Sequence, residues 1–144
     1  MGNRHQEGAD VRVLLIDDEE DIRKVGRLSL EAVGQFDTAV AASAREGFDL
    51  ARSSRPDVIV MDMMMPVVDG LAALAELRSS PELNDIPVIF MTAKAQHAEI
   101  AFYLECGAIG VVKKPFDPMT LPGEITAILD QSRNPKHTER FGPE

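Results

Sequence analysis

Two spacings of apolar residues alternate along the chain. Short, mainly apolar segments of four to six residues recur at 11–16 (with Arg12 its only charge), 36–41, 57–61, 87–91 and 110–113. Acids, Pro or Gly bound them, and runs of that length predict buried strands. Between them the spacing turns helical. Ile22, Val25, Leu28 and Ala32 recur at helical intervals, with Gly34 as a C-terminal stop. Ser43 is placed to cap a second helix carrying Ala44, Gly47, Phe48 and Ala51. After Pro66 and Gly70 comes a third helix with Leu71, Leu74 and Leu77. A fourth spans 95–106 and is stopped by Gly107, and a fifth spans 118–131.

Strand and helix in strict alternation predict an α/β fold, with a five-stranded parallel sheet covered by helices on both faces. The crossovers of such sheets are right-handed, and their ligands bind beyond the carboxyl ends of the strands. The residues just after each strand are therefore the candidates for chemistry.

Composition narrows the function. The 144 residues include 24 acidic and 15 basic side chains, a net charge of −9 that opposes unaided contact with nucleic-acid phosphates. One cysteine, Cys106, excludes an internal disulfide framework and a CxxC site. No apolar run reaches membrane-spanning length, and the polar amino terminus lacks an apolar signal core. Gln6 stands where a myristoylation pattern needs Ser or Thr. These features predict a cytoplasmic domain over 10–132, between a poorly ordered tail at 1–9 and a flexible one at 133–144.

The strand ends carry an unusual set. Asp17, Asp18, Glu19 and Glu20 follow the first strand; Asp62 ends the third, Thr92 the fourth, and Lys114 with Pro115 the fifth. Crowded carboxylates repel and bind protons more tightly unless a cation intervenes. Hard oxygen donors suit Mg²⁺, whereas one cysteine and scattered histidines (His5, His97, His137) do not suit zinc. A metal-bound carboxylate beside an ammonium is a good phosphoryl acceptor, because both cations neutralise charge on the transferred group. Taken singly, each residue has a plainer reading: an N-cap, a turn former, a surface charge. Their concurrence on four strand ends does not.

Leu14-Leu15-Ile16-Asp17-Asp18-Glu19, Val60-Met61-Asp62-Met63-Met64-Met65-Pro66 with Asp69-Gly70, Pro87-Val88-Ile89-Phe90-Met91-Thr92-Ala93, and Gly107-Ala108 with Lys113-Lys114-Pro115-Phe116 together resemble the receiver domain of two-component response regulators. The resemblance implies a flavodoxin-like (βα)5 fold with strand order 2-1-3-4-5. It implies that Asp62 accepts a phosphoryl group from a histidine kinase or phosphotransfer protein. Asp18 would bind Mg²⁺ (or Mn²⁺) directly and Asp17 mainly through water, with Asp62 and the Met64 backbone carbonyl as further ligands. Thr92 would be the switch hydroxyl, Lys114 the phosphoryl-binding lysine and Pro115 a cis proline, with Lys113 a surface charge on the opposite face.

The chain departs from the family pattern at Val111, where receivers usually carry Tyr or Phe three residues before the lysine. The nearest aromatics in sequence, Phe102 and Tyr103, are read as packing residues. Met64 and Lys94, two residues beyond Asp62 and Thr92, flank the approach of a hydrolytic water and predict a long-lived phosphoprotein. Met63, Met64 and Met65 are read as loop packing, and Cys106 as a small buried residue. Output is expected through protein contact or onward transfer, at a face made by the fourth helix, fifth strand and fifth helix. Ile100, Phe102, Tyr103 and Leu104 make that helix apolar over more than one side. No direct contact with nucleic acid or membrane is expected.

Two other readings compete. One is a receiver cut from a longer regulator or hybrid kinase. The other is an Asp-nucleophile phosphatase or phosphotransferase of a different α/β family. The haloacid-dehalogenase type of the latter needs a second Asp two residues after the first, where this chain has Met64. Nucleotide binding lacks its glycine-rich motifs.

Overall fold

The computed structural model describes residues 11–133. The strands are β1 (Arg12–Ile16), β2 (Asp37–Ala41), β3 (Val58–Asp62), β4 (Val88–Thr92) and β5 (Gly110–Lys113). The helices are α1 (Glu20–Leu28, continued by a π turn over Ser29–Val33), α2 (Ala44–Ser54), α3 (Gly70–Arg78), α4 (His97–Glu105) and α5 (Leu121–Arg133). All strand pairs are parallel, in the order β2-β1-β3-β4-β5. The register sets Ile16 beside Ala41 and Met61, Asp62 beside Met91, and Thr92 beside Lys113. The carboxyl ends thus finish level, and the residues just past each strand share one edge.

Side chains alternate across a strand, so each strand feeds two cores. Leu14, Ile16, Ile59, Met61, Val88 and Phe90 pack under α2, α3 and α4 with Phe48, Leu74, Leu77 and Tyr103. Val13, Leu15, Val58, Val60, Ile89, Met91 and Val112 pack on the other face with Leu30, Leu121, Ile125 and Leu129 of α1 and α5. Each such side chain contributes roughly 1.5–3 kcal/mol by leaving water. The exposed ion pairs, such as Arg27–Glu31 and Arg52–Glu82, add about 0–1 kcal/mol each. The double core is what holds the sheet.

Helix ends follow the expected chemistry. Ser43 Oγ accepts from the Glu46 N–H, Asp69 Oδ1 accepts from the Ala72 N–H, and the Glu99 carboxylate accepts from the Gln96 N–H. Gly107 follows α4 with φ +119°, a conformation that favours glycine. Arg78 closes α3 by donating to the carbonyls of Asn84, Ile86 and Gly107, which ties α3 to the turn leading into β5.

Several expectations need correction. α1 does not bury the stripe Val25–Leu28–Ala32. Gly26, Ser29 and Leu30 face the core, while Val25 and Ala32 are exposed and Leu28 is 68% exposed. The reason is close packing: Leu15 and Phe116 crowd Gly26, and Ser29 Oγ donates to the Pro118 carbonyl. Gly34 keeps a right-handed φ of −87°, and Gln35 makes the left-handed turn at φ 59°. The fifth helix starts at Leu121 and not at Pro118, because Asp117 accepts from the Met119 and Thr120 N–H groups in a preceding turn. Cys106 is exposed at the carboxyl cap of α4. Of the three methionines, Met63 and Met65 are buried, but Met64 is 62% exposed. The expected tails at 1–9 and 133–144 lie outside the described residues, except Arg133, which ends α5.

Gly34 is required by proximity. A Cβ there would meet the Pro122 Cβ at 2.7 Å and the Leu30 carbonyl oxygen at 2.9 Å, whereas one on Gly123 would meet nothing within 4 Å. Gly34→Ala is expected to cost about 1–3 kcal/mol by overpacking. Gly123→Ala is expected to stabilise by about 0.4–1 kcal/mol through the unfolded chain. Urea unfolding of both variants checks the contrast, and equal midpoints would contradict it.

Candidate functional site

Three buried polar side chains stand on the carboxyl edge. Asp17 follows β1 and is fully buried; Asp62, the last residue of β3, is 4% exposed; Thr92 ends β4 and is buried. Asp18 beside them is exposed. Oxygens of Asp17, Asp18 and Asp62 all lie within 4.8 Å of one another.

Each strand delivers its residue by backbone contacts. The Asp17 N–H donates to the Ala41 carbonyl at 3.1 Å, extending the β1–β2 ladder by one residue. Its Oδ1 accepts from the Glu19 N–H at 2.9 Å, capping the entry to α1. Asp62 Oδ1 accepts from the Met64 N–H at 3.1 Å, so the loop after β3 folds back over its own carboxylate. Thr92 Oγ1 accepts from the Lys94 N–H at 3.0 Å, and its carbonyl accepts from the Lys114 N–H at 2.9 Å. The Lys114–Pro115 peptide is cis, as expected.

Lys114 ties the acids together. Its Nζ lies 3.0 Å from Asp17 Oδ2 and 3.5 Å from Asp62 Oδ2. Burial lowers the proton affinity of this ammonium, but the hydrogen bond to Asp17 and the charges of Asp17, Asp62 and Glu19 outweigh it and raise it overall. Burial raises the Asp62 carboxyl above the usual carboxylate range. The charge of Asp17 adds to that, against the opposing Met64 N–H and Lys114. Asp62 is thus a buried carboxylate with one oxygen held by a backbone N–H and the other facing a cation, a polar group made less comfortable as an anion and receptive to a further positive charge.

The structure brings together Asp17, Asp18, Asp62, Thr92 and Lys114, all anticipated from sequence. Lys113 is exposed, away from the cluster. Met64 and Lys94, both exposed, lie at the edge through their backbone N–H bonds to Asp62 and Thr92. Thr92 does not cap α4, which begins behind Gln96. Val111 pairs in register with Phe90 and packs beneath α4 with the first core.

Arg23 joins the site without having been expected there. Its Nη1 donates to the Asp17 carbonyl at 2.9 Å, fixing the acid loop from the side. The available signal is a cation in the first turn of α1, where the helix dipole disfavours one unless it has another partner. A cleft of about 300 Å³ opens beside the site, lined in part by Asp18, Arg45, Met65 and Pro66. Asp62, Thr92 and Lys114 are not on its walls, so the cleft meets the acid cluster only at Asp18.

Comparison with known proteins places the fold in a family. A profile of the response regulator receiver domain matches residues 13–126. A probable transcriptional regulator ycf27 of Guillardia theta is 37% identical over 118 residues, 82% of this chain and 45% of that protein. The alkaline phosphatase synthesis transcriptional regulatory protein PhoP of Bacillus subtilis is 33% identical over 121 residues, 84% of this chain and 49% of that one. The chain spans about half the length of the curated relatives it matches. Among solved structures, the chemotaxis protein CheY4 of Vibrio cholerae superposes with a TM-score of 0.75 at 28% identity, covering 83% of this chain and 98% of that one. The receiver domain of a histidine kinase from Syntrophus aciditrophicus does so with a TM-score of 0.70 at 28% identity, covering 86% and 93%. With the five-stranded fold and the acid–lysine edge, these matches establish that the chain belongs to the response regulator receiver domain family.

Proposed function

We propose that this chain is a phosphorylation-controlled binding module that accepts a phosphoryl group on Asp62 from a histidine kinase or phosphotransfer protein. The observation that carries the reading is the Lys114 ammonium set between the buried Asp17 and Asp62 carboxylates. An Asp62 oxygen attacks phosphorus as the phosphorus–nitrogen bond of the donor breaks. The bond's electron pair stays on the donor imidazole, and an acyl phosphate remains on Asp62. Lys114 neutralises charge on the transferred group, and the Thr92 hydroxyl donates to one of its oxygens.

Receiver domains typically bind Mg²⁺, and the donors here fit it: every side-chain donor of the cluster is a hard carboxylate oxygen, and exposed Asp18 leaves one side open to solvent. Asp18, Asp17, Asp62 and the Met64 carbonyl would hold the ion, with Mn²⁺ able to replace it. Bound there, it would supply neutralisation of the phosphoryl oxygens. The protein groups, not the ion, place Asp62 and Thr92.

The output is a changed protein-binding surface over α4, β5 and α5. Phe102 is 50% exposed and Leu104 is exposed, while Tyr103 is buried and Ile100 half-buried, so the outward side of α4 is apolar. In a longer protein the same module would control an attached domain. Relatives named transcriptional regulators extend to about twice the matched length, and one structural neighbour is part of a histidine kinase. No described helix is long and apolar enough to cross a membrane.

Acetyl phosphate with Mg²⁺ is expected to add one phosphoryl group, and Asp62→Asn to abolish the addition; intact-mass analysis decides, and full labelling of the variant would overturn the assignment. Mg²⁺ is also expected to stabilise the unlabelled protein, by about 2.7 kcal/mol at a hundred times its dissociation constant. Asp18→Ala should remove most of that gain, and a melting curve indifferent to millimolar Mg²⁺ would place the ion elsewhere.

The phosphorylated state should be long-lived, because exposed Met64 offers an attacking water no hydrogen bond and Lys94 adds positive charge near the phosphoryl oxygens. Met64→Asn with Lys94→Glu is expected to shorten the lifetime about tenfold, equivalent to ~1.4 kcal/mol of barrier. Loss of label from the purified phosphoprotein gives the comparison.

A further inference from the structure

Of the nine residues of α4, only Tyr103 is buried. Its ring meets Phe90 of β4 edge-on, with centroids 5.7 Å apart and planes at 77°. Phe90 is fully buried, stands two residues before Thr92 on the same strand, and is the register partner of Val111. Val111 packs against the same cluster. The aromatic contact beneath this edge of the sheet is therefore made from the helix, and β5 contributes only a short aliphatic side chain.

A second link joins Thr92 to the same helix. The Thr92 hydroxyl accepts from the Lys94 N–H, inside the short linker that enters α4. The helix itself starts at a local brace, the Gln96 N–H donating to the Glu99 carboxylate, which moves with it. So Tyr103 is the one buried side chain of α4, with Ile100 half-buried, and the helix is entered through a linker tied to the Thr92 hydroxyl. The side chains flanking Tyr103 in sequence, Phe102 and Leu104, are exposed.

We propose that Tyr103 is the coupling aromatic of this chain, relaying the state of Asp62 to α4 as a whole. The proposal rests on the reading of Asp62 and Thr92 given above. As the Thr92 hydroxyl is drawn toward the phosphoryl group, it gives up the Lys94 N–H, the linker is released, and Tyr103 slides on Phe90. The whole helix shifts and re-presents Phe102 and Leu104 to a partner. A lone aromatic anchor permits this, since an edge-on ring pair has a broad range of acceptable offsets, whereas several interlocked side chains would hold one position.

The chain carries its own probes. It has one tyrosine and no tryptophan, so tyrosine emission reports Tyr103 alone. Its single cysteine, Cys106, is exposed at the end of α4 and takes one nitroxide label. Beryllofluoride with Mg²⁺ is expected to change both the Tyr103 emission and the Cys106 nitroxide spectrum, and both changes should vanish in Asp62→Asn and Thr92→Ala. Tyr103→Phe should keep the nitroxide response. Tyr103→Leu should lose it while acetyl phosphate still labels Asp62 at the wild-type rate. A labelled wild type with unchanged Tyr103 emission overturns the coupling, as does a labelled Tyr103→Leu with a wild-type nitroxide response. Should Tyr103→Leu fail to fold, the wild-type emission and the Tyr103→Phe response decide between the same two outcomes. Failure of the wild type to accept any phosphoryl group would instead overturn the reading of Asp62, and the coupling with it.

Discussion

Two carboxylates buried on adjacent strands would not stay together without a cation between them. Asp17 and Asp62 are both nearly free of solvent contact, and the Lys114 ammonium lies within 3.5 Å of each. Breaking a buried pair by removing one partner typically costs about 3–5 kcal/mol, since a charge is left uncompensated. The sheet's parallel register makes this bridge possible, because it brings the ends of β1, β3 and β5 level although β4 lies between β3 and β5. Fold and site depend on the same alignment. The two cores hold the strands in register, and the register sets three charges where one ammonium serves two acids.

That balance also sets the edge apart from the rest of the protein. Among the described residues, no buried side-chain nitrogen or oxygen lacks a partner. At the acid cluster opposite charges are held in compromise, with Asp62 pushed up by burial and Lys114 pushed up by its acids. Under the proposed function a dianionic phosphoryl group and a divalent ion would enter this electrostatic sum, close to Thr92 and the α4 linker.

Much of this is legible in the residues themselves. Most strands are readable because short apolar runs end in acids, a hydroxyl or a lysine, as at β1, β3, β4 and β5, and the site residues are readable for the same reason. The phase of α1 is not. Helical spacing counts Val25, Leu28 and Ala32 as a buried stripe, but the sheet takes the narrow side with Gly26 and Ser29, whose small size allows Leu15 and the Pro118 carbonyl to approach. Small residues carry little apolar signal even when they face a core. The split between Phe102 and Tyr103, adjacent aromatics on one helix, likewise depends on which of them meets Phe90. Cys106 escapes a reading by residue type because burial statistics for cysteine do not apply to a helix cap. Arg23 escapes it because its partner is a backbone carbonyl, which no side-chain pattern reveals.

The strand order has a consequence for how the chain assembles. β1 sits between β2 and β3, so the chain up to Asp62 contains every strand needed for one half of the sheet, while Lys114 arrives only with the last strand at the opposite edge. Asp17 and Asp62 stand on the adjacent strands β1 and β3, and their shared ammonium is supplied from beyond β4. The charge balance of the acid cluster is thus complete only when the carboxyl-terminal strand is in place, so the most distant parts of the sequence meet in a single ion-paired group.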